Sequence, residues 1–119
     1  DTLEHSTAGS LDTQYVVKGS AKAWIHFNGT GTVAIKDSLN IASLSDAGTG
    51  LYNCAISSDF SNANFSTTGA AGENDDSGGN RSLGLRAKTS GTQNVRGFRD
   101  GVSADDMVEM CFQCMGDLA

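Results

Sequence analysis

Lys22 to Leu44 reads K-A-W-I-H-F-N-G-T-G-T-V-A-I-K-D-S-L-N-I-A-S-L, and this stretch decides the fold. From Ala23 to Asn28 apolar and polar character alternates, with Ala23, Ile25 and Phe27 on one face and Trp24, His26 and Asn28 on the other. A period of two is the signature of a strand with one buried face. Gly29-Thr30-Gly31 then breaks the run, and β-branched residues resume at Thr32, with Val33 and Ile35 expected inward. The pattern predicts a β-hairpin whose turn is built on glycine.

Working outward, the same period recurs along the chain. Leu39, Ile41 and Leu44 continue the apolar pattern, and Ser45 to Gly50 is dense in turn formers. Strands are predicted over Leu51–Ser57, with Tyr52, Cys54 and Ile56 facing together, and over Ala63–Ala71 around Phe65. Gly72 to Asn80 is the most loop-like stretch. Two more strands, Arg81–Thr89 and Thr92–Arg99, flank a Ser90-Gly91 turn, with Leu83, Leu85 and Ala87 on one side of the first and Val95 and Phe98 anchoring the second. A polar loop, Asp100–Asp106, precedes the last strand, Met107–Met115, where Val108, Met110, Phe112 and Cys114 alternate. No segment sustains a period of 3.6, so helix content is expected to be very low. Seven or eight short turn-linked strands predict an all-β antiparallel sandwich, jelly-roll-like, over residues 22–119. Residues 1–21 are polar apart from Tyr15 to Val17 and are read as an extended arm ending in a short strand.

Composition narrows the possible partners. A chain of 119 residues is one domain's worth, and its large apolar residues are few: five Phe, two Tyr, one Trp and three Met. It has no Pro to guard the edges of its sheets, so neighbouring subunits are expected to cover part of the surface. A net charge of -6 argues against a nucleic-acid partner, which needs a basic stripe. Basic residues concentrate only at Arg81, Arg86 and Lys88, then Arg96 and Arg99. No apolar run approaches the roughly 20 residues of a membrane-spanning helix, so membrane insertion is not expected. The first residue is Asp1 rather than Met, so a trimmed chain or a piece of a longer one is expected.

The candidate chemistry is sparse. Cys111 and Cys114 have C-x-x-C spacing, but on a strand residues three apart point to opposite faces and cannot share a metal. With Cys54 they read as buried, reduced, structural thiols, suited to assembly in a reducing cytoplasm. His5 and His26 come with no nucleophile elbow, and Asp105 and Asp106 point apart as neighbours on one strand, so neither a relay nor a carboxylate dyad is expected. Glu73, Asn74, Asp75 and Asp76 lack the spacing of a known calcium loop and read as a solvated tip. Gly29-Thr30-Gly31 has no following helix to complete a phosphate cradle. Sequons at Asn28, Asn64 and Asn80 are expected by chance in such a composition. The aromatics Trp24, Tyr52, Phe60, Phe65 and Phe98 are read as core before a sugar platform. No cofactor, metal or catalytic residue is expected. Any receptor surface is expected on the loops, through Asp59, Asn62, Glu73, Asn74, Asp75, Asp76, Asn80, Asp100 and Asp105.

One segment carries a resemblance. Ala23 to Tyr52, A-W-I-H-F-N-G-T-G-T-V-A-I-K-D-S-L-N-I-A-S-L-S-D-A-G-T-G-L-Y, closely resembles a segment recurring near the C-termini of tail-fibre and related virion proteins of tailed bacteriophages, notably marine ones. There A-W-V-x-F-N-G-T-G-T-V-A-I is followed by S-F-N-V-S-S-I and a D-x-G-T-G-x-Y turn. The upstream G-S-A-K and the closing F-x-x-x-G-D-L-A, Phe112 to Ala119, resemble the same family's ends, while Asn62 to Ser103 matches weakly. Trp24, Phe27, Gly29, Gly31, Gly50 and Tyr52 match and are expected to define the fold; Leu51 departs, where many relatives are charged or polar, as does the cysteine-rich last strand. The resemblance implies a β-rich domain, normally a homotrimer, on a virion assembled in the host cytoplasm. It implies contact with other virion proteins and non-covalent attachment to a host receptor, a polysaccharide or outer-membrane component, rather than enzyme activity. The alternatives are a capsid decoration or fibre-assembly module without a receptor, or a polysaccharide depolymerase domain, which would need a pair of carboxylates in a groove.

Overall fold

A computed structural model describes residues 2–74 and 79–119. Alternation along the central strands sorts side chains into one shared core. In β3 (Ala21–Asn28) Ala23, Ile25 and Phe27 are buried while Trp24, His26 and Asn28 face outward, as the period of two dictates. The partner β11 (Glu109–Met115) buries Met110, Phe112 and Cys114 in the same way. β3 and β11 pair antiparallel at the centre of one sheet, with β4 (Ala34–Leu39) outside β3 and β7 (Ser66–Gly72) outside β11. The second sheet runs β8 (Arg81–Thr89), β9 (Thr92–Arg99), β6 (Leu51–Ile56), β5 (Ile41–Gly48), also antiparallel. β10 (Ser103–Ala104) pairs with β9 at Phe98 and Arg99, beyond β9's pairing with β6.

The inner faces of the two sheets meet over Phe27, Tyr52, Cys54, Val95, Met110 and Phe112. Phe27 and Tyr52 touch edge to face with centroids 5.0 Å apart, and Phe60 stacks on Phe65 at 4.2 Å. Burying each large side chain stabilises by roughly 2–3 kcal/mol over exposure. The buried Gln93 is satisfied: its Oε1 accepts from Thr67 Oγ1 at 2.8 Å, and its Nε2 donates to the Asn94 carbonyl at 2.9 Å.

The sheet edges are managed without proline. β4 passes into β5 of the other sheet through Asn40 alone, whose φ of 58° is left-handed. The Asn40 side chain donates to the Ser58 carbonyl at 3.0 Å and accepts from the Ser58 amide at 2.7 Å, while its carbonyl accepts from the Ser57 amide. Asn tolerates this backbone region better than most side chains. On the opposite side Leu83 of β8 lies against Gly69 of β7, where an added Cβ would stand 3.1 Å from Leu83.

Several sequence expectations change. Tyr15–Val17 do not form a strand: they lie in helix α1 (Gln14–Gly19), after a hairpin of β1 (Thr2–His5) and β2 (Gly9–Asp12). Local hydrogen bonding outweighs the β preference of the two valines: Asp12 accepts from the Gln14 amide at 3.1 Å and the Thr13 carbonyl from Val17 at 2.9 Å. The second strand of the opening hairpin begins at Ala34, not Thr32, and Ile35 is 42% exposed because β4 is an edge strand. Leu85 is likewise 51% exposed on edge strand β8. β5 extends to Gly48, so the turn before Leu51 narrows to Thr49-Gly50, with Gly50 at φ 68°. Phe98 alternates away from Val95, on the outer face. Cys111 is exposed rather than buried, whereas Cys54 and Cys114 are buried; all three thiols are free.

Candidate functional site

Four residues expected to define the fold converge on one buried knot. Tyr52 projects inward from β6, and its Oη lies 2.9 Å from the Gly29 carbonyl and 3.0 Å from Asp106 Oδ1. The same carboxylate oxygen accepts from the Gly50 amide at 2.7 Å. Gly29 donates to the Met107 carbonyl at 2.8 Å, and Phe27 packs on the Tyr52 ring. Burial, then the hydrogen bond and negative charge of Asp106, push the Tyr52 phenol well above its ordinary range. Gly50 closes the knot on the other side: its carbonyl accepts from Gly97 at 2.8 Å, and a Cβ would stand 2.7 Å from the Asp105 nitrogen. Gly31 sits in the turn at φ 60° with open space around it, and Trp24 is half-buried on the outer face. Asn28 Oδ1 braces the turn by accepting from the Thr30 amide at 2.9 Å and hydroxyl at 2.7 Å.

This knot organises one end of the molecule, where two of the three candidate loops meet. Arg81 lies 3.4 Å from Glu73 across the opening of the 72–80 loop. Arg99 pairs with Asp105 at 2.5 Å, and Asp105 holds its guanidinium charged beyond the ordinary arginine range. The Asp100 amide donates to the Asn80 carbonyl at 2.8 Å, joining the loops through the backbone. Asn74 is exposed beside Glu73; Asp75 and Asp76 lie outside the described residues. The third loop, Ser57 to Asn62, is at the opposite end. There Asp59 accepts through its carbonyl from Ala119 at 2.9 Å, Ser61 donates to Asp117, and Phe60 bridges to Leu118. Asn62 Oδ1 accepts from the Asn64 amide, a local turn. β3 begins and β11 ends at this end, so Asp59 and Asn62 sit beside the chain's entry and exit rather than with the other candidates.

The outer face of the first sheet holds a separate constellation. A bulge between His26 and Phe27 makes Lys36 the extra residue of β4 and turns it outward. Glu109 then receives both Lys36 Nζ and His26 Nε2. These partners, Lys36 first, hold the Glu109 carboxyl below its ordinary range. Beside it Trp24, Thr68, Ala70, Cys111 and Gln113 line a shallow groove of about 390 Å³. Cys111 pairs directly across from His26, but its thiol meets only the Ala70 carbonyl, at 3.7 Å.

Asp106 and Glu109 organise these two clusters, and reading the sequence passed over both in that part. Asp106 was visible only as half of an unpaired Asp-Asp step, and its link to Gly50 spans 56 positions. The two carboxylates do point apart, Asp105 to Arg99 and Asp106 to the knot. Among the described residues no cluster of three His, Cys, Asp or Glu is placed to hold a metal ion, and no helix is long and apolar enough to cross a membrane. No family model, curated protein or solved structure matches this chain.

Proposed function

We propose that this chain is a tail-fibre or other virion-fibre domain of a tailed bacteriophage, folded as a jelly-roll-like β-sandwich and assembled as a homotrimer, that attaches to a host surface receptor by non-covalent contact. The observation that carries the reading is the knot: Phe27, Gly29, Gly50 and Tyr52 come from the two ends of the family-like segment, and the fold brings them into mutual contact. The fixed spacing of that segment therefore has a packing cause, which is the behaviour expected of a shared domain rather than a chance run of residues.

The arrangement of the loops supports attachment. The described ends of the 72–80 loop, with the 100–106 loop joined to them at Asn80, stand at the end away from the start of β3 and the end of β11. A domain tethered by residues 1–21 would present that end outward, and three copies would turn weak contacts into avidity. Of the described carboxylates there, Glu73 and Asp105 each face an arginine and Asp106 is taken up by the knot, which leaves Asp100 without a second free carboxylate and favours a recognition surface over a hydrolytic pair among the described residues.

The test is adsorption of the fluorescently labelled chain to host bacteria, with Asp100→Lys in the joined loops as the disabled form. Saturable adsorption lost in the variant supports attachment. Absence of adsorption by a correctly folded trimer would instead assign the domain to assembly or decoration.

A further inference from the structure

The outer face of the second sheet has a charge opposite to that of the whole molecule. Gln93, Val95 and Gly97 of β9 are buried, so Asn94, Arg96 and Phe98 face outward. The Phe98 ring lies across β8, where a Cβ at Gly84 would stand 2.5 Å from it. The bare Gly84 makes room for that ring, and the Arg96 guanidinium stands 4.6 Å from the ring centroid. Arg86 reaches over β9 from β8 to β6, where Nη1 donates to Asn53 Oδ1 at 3.2 Å. Among the described residues neither Arg86 nor Arg96 has an ion pair, and the acids that form one are matched with His26, Lys36, Arg81 and Arg99. Arg96 Nε is buried without a hydrogen-bond partner. A chain of net charge -6 thus keeps two uncompensated guanidiniums on one sheet face.

We propose that this face binds an acidic saccharide, with Arg96 and Arg86 taking the carboxylate. A guanidinium fork matches a carboxylate in two parallel hydrogen bonds. Around it the exposed Asn53 and the half-buried Asn94 offer amide donors and acceptors suited to hydroxyls, and the half-buried Phe98 offers a ring edge to the apolar face of a sugar. Charge complementarity selects the occupant. Two cations on an acidic molecule are too few to hold the dense phosphates of a nucleic acid. An isolated carboxylate set among hydroxyls fits both their number and their neutral surroundings. The site lies on the sheet face rather than on the loops, so it goes beyond the attachment reading, and it rests on that reading only for where the saccharide would be met.

Calorimetric titration of the full chain with galacturonate oligomers tests it, with neutral dextran oligomers as the comparison. Expected are binding of the acidic oligomer alone, weakening as salt is raised, and a loss of about tenfold or more in Arg96→Gln and Arg86→Gln. Asp37→Asn, on β4 of the other sheet, should bind like the parent. Equal affinity in the arginine variants, or no heat with the acidic oligomer, overturns the assignment. So does a fall in oligomer mass in Arg96→Gln, which would make this face an interface between copies. If the parent binds the saccharide but does not adsorb to cells, the attachment reading fails and the site stands. If cells are bound equally by parent and Arg96→Gln while the titration shows no saccharide binding, the site fails and attachment stands.

Discussion

The phenol of Tyr52 occupies the space that any side chain at Gly29 would fill, and it is held there by a hydrogen-bonding contact with the Gly29 carbonyl at 2.9 Å. An added Cβ would stand 2.6 Å from Tyr52 Cζ and 3.0 Å from the Met107 carbonyl. Gly29→Ala must therefore displace a buried ring or the backbone of the strand opposite. It is expected to destabilise by roughly 2–4 kcal/mol, read as a lower midpoint in urea with an unchanged slope. An unchanged midpoint would mean that the ring is not seated against the turn.

The carboxylate of Asp106 serves two donors at once, the Gly50 amide and the Tyr52 phenol. Asp106→Ala leaves both without that partner and should cost about 2–3 kcal/mol, while Asp106→Asn keeps an acceptor and should cost less. Tyr52 also sets a pH limit. Its phenol titrates higher in the folded chain than its ordinary value of 10.0, so the stabilisation is fully present below that value. It is lost as pH rises above it, because the unfolded chain ionises first. Tyr52→Phe should flatten that alkaline decline while lowering stability at neutral pH, as thermal melts across the alkaline range would show.

At the cysteines the alternation of β11 makes a kinetic prediction. Cys111 faces outward and should react with a thiol reagent in the native chain. Cys54, its thiol pushed up to about 12 by burial and then by Cys114, and Cys114 itself should react only on unfolding. Mass spectrometry should therefore find one adduct before denaturant and three after it. Three fast adducts would contradict the shared core.

On the acid side, Glu109 is held below its ordinary range by Lys36 and His26, so this support is present above that range. It is lost as pH falls through the lowered value. The trio is more than a third exposed at His26, and screening keeps its worth to about 0.5–1 kcal/mol. Glu109→Gln should remove that part of the acid decline, measured by urea midpoints between about pH 6 and pH 3.

Much of this fold was legible in the sequence because a period of two survives wherever one face is buried. Arg81–Thr89 and Thr92–Arg99 have the boundaries their alternation gave, and Tyr52, Cys54 and Ile56 share the inner face as expected. Legibility fails where long-range geometry decides. Ile35 and Leu85 look inward by pattern, yet they lie on edge strands whose neighbours cover them only partly. Tyr15 to Val17 read as strand, but with no strand beside them local hydrogen bonds make a helix. The joining of Asp100 to Asn80 and the separation of Asp59 from both depend on which strand ends share a pole, which no local window contains. Arg86 and Arg96 stand out in the sequence as members of two separate basic groups, but that they share one outer face follows only from the pairing of β8 with β9.

If the attachment reading holds, this chain is part of a phage particle, and the most direct test is electron cryomicroscopy of such a particle, fitted with the two-sheet domain. Three copies of the domain around a fibre axis, with the 72–80 and 100–106 loops turned away from the particle, are the expected result. Density for the domain on the capsid surface, or particles that lack it, would contradict the account.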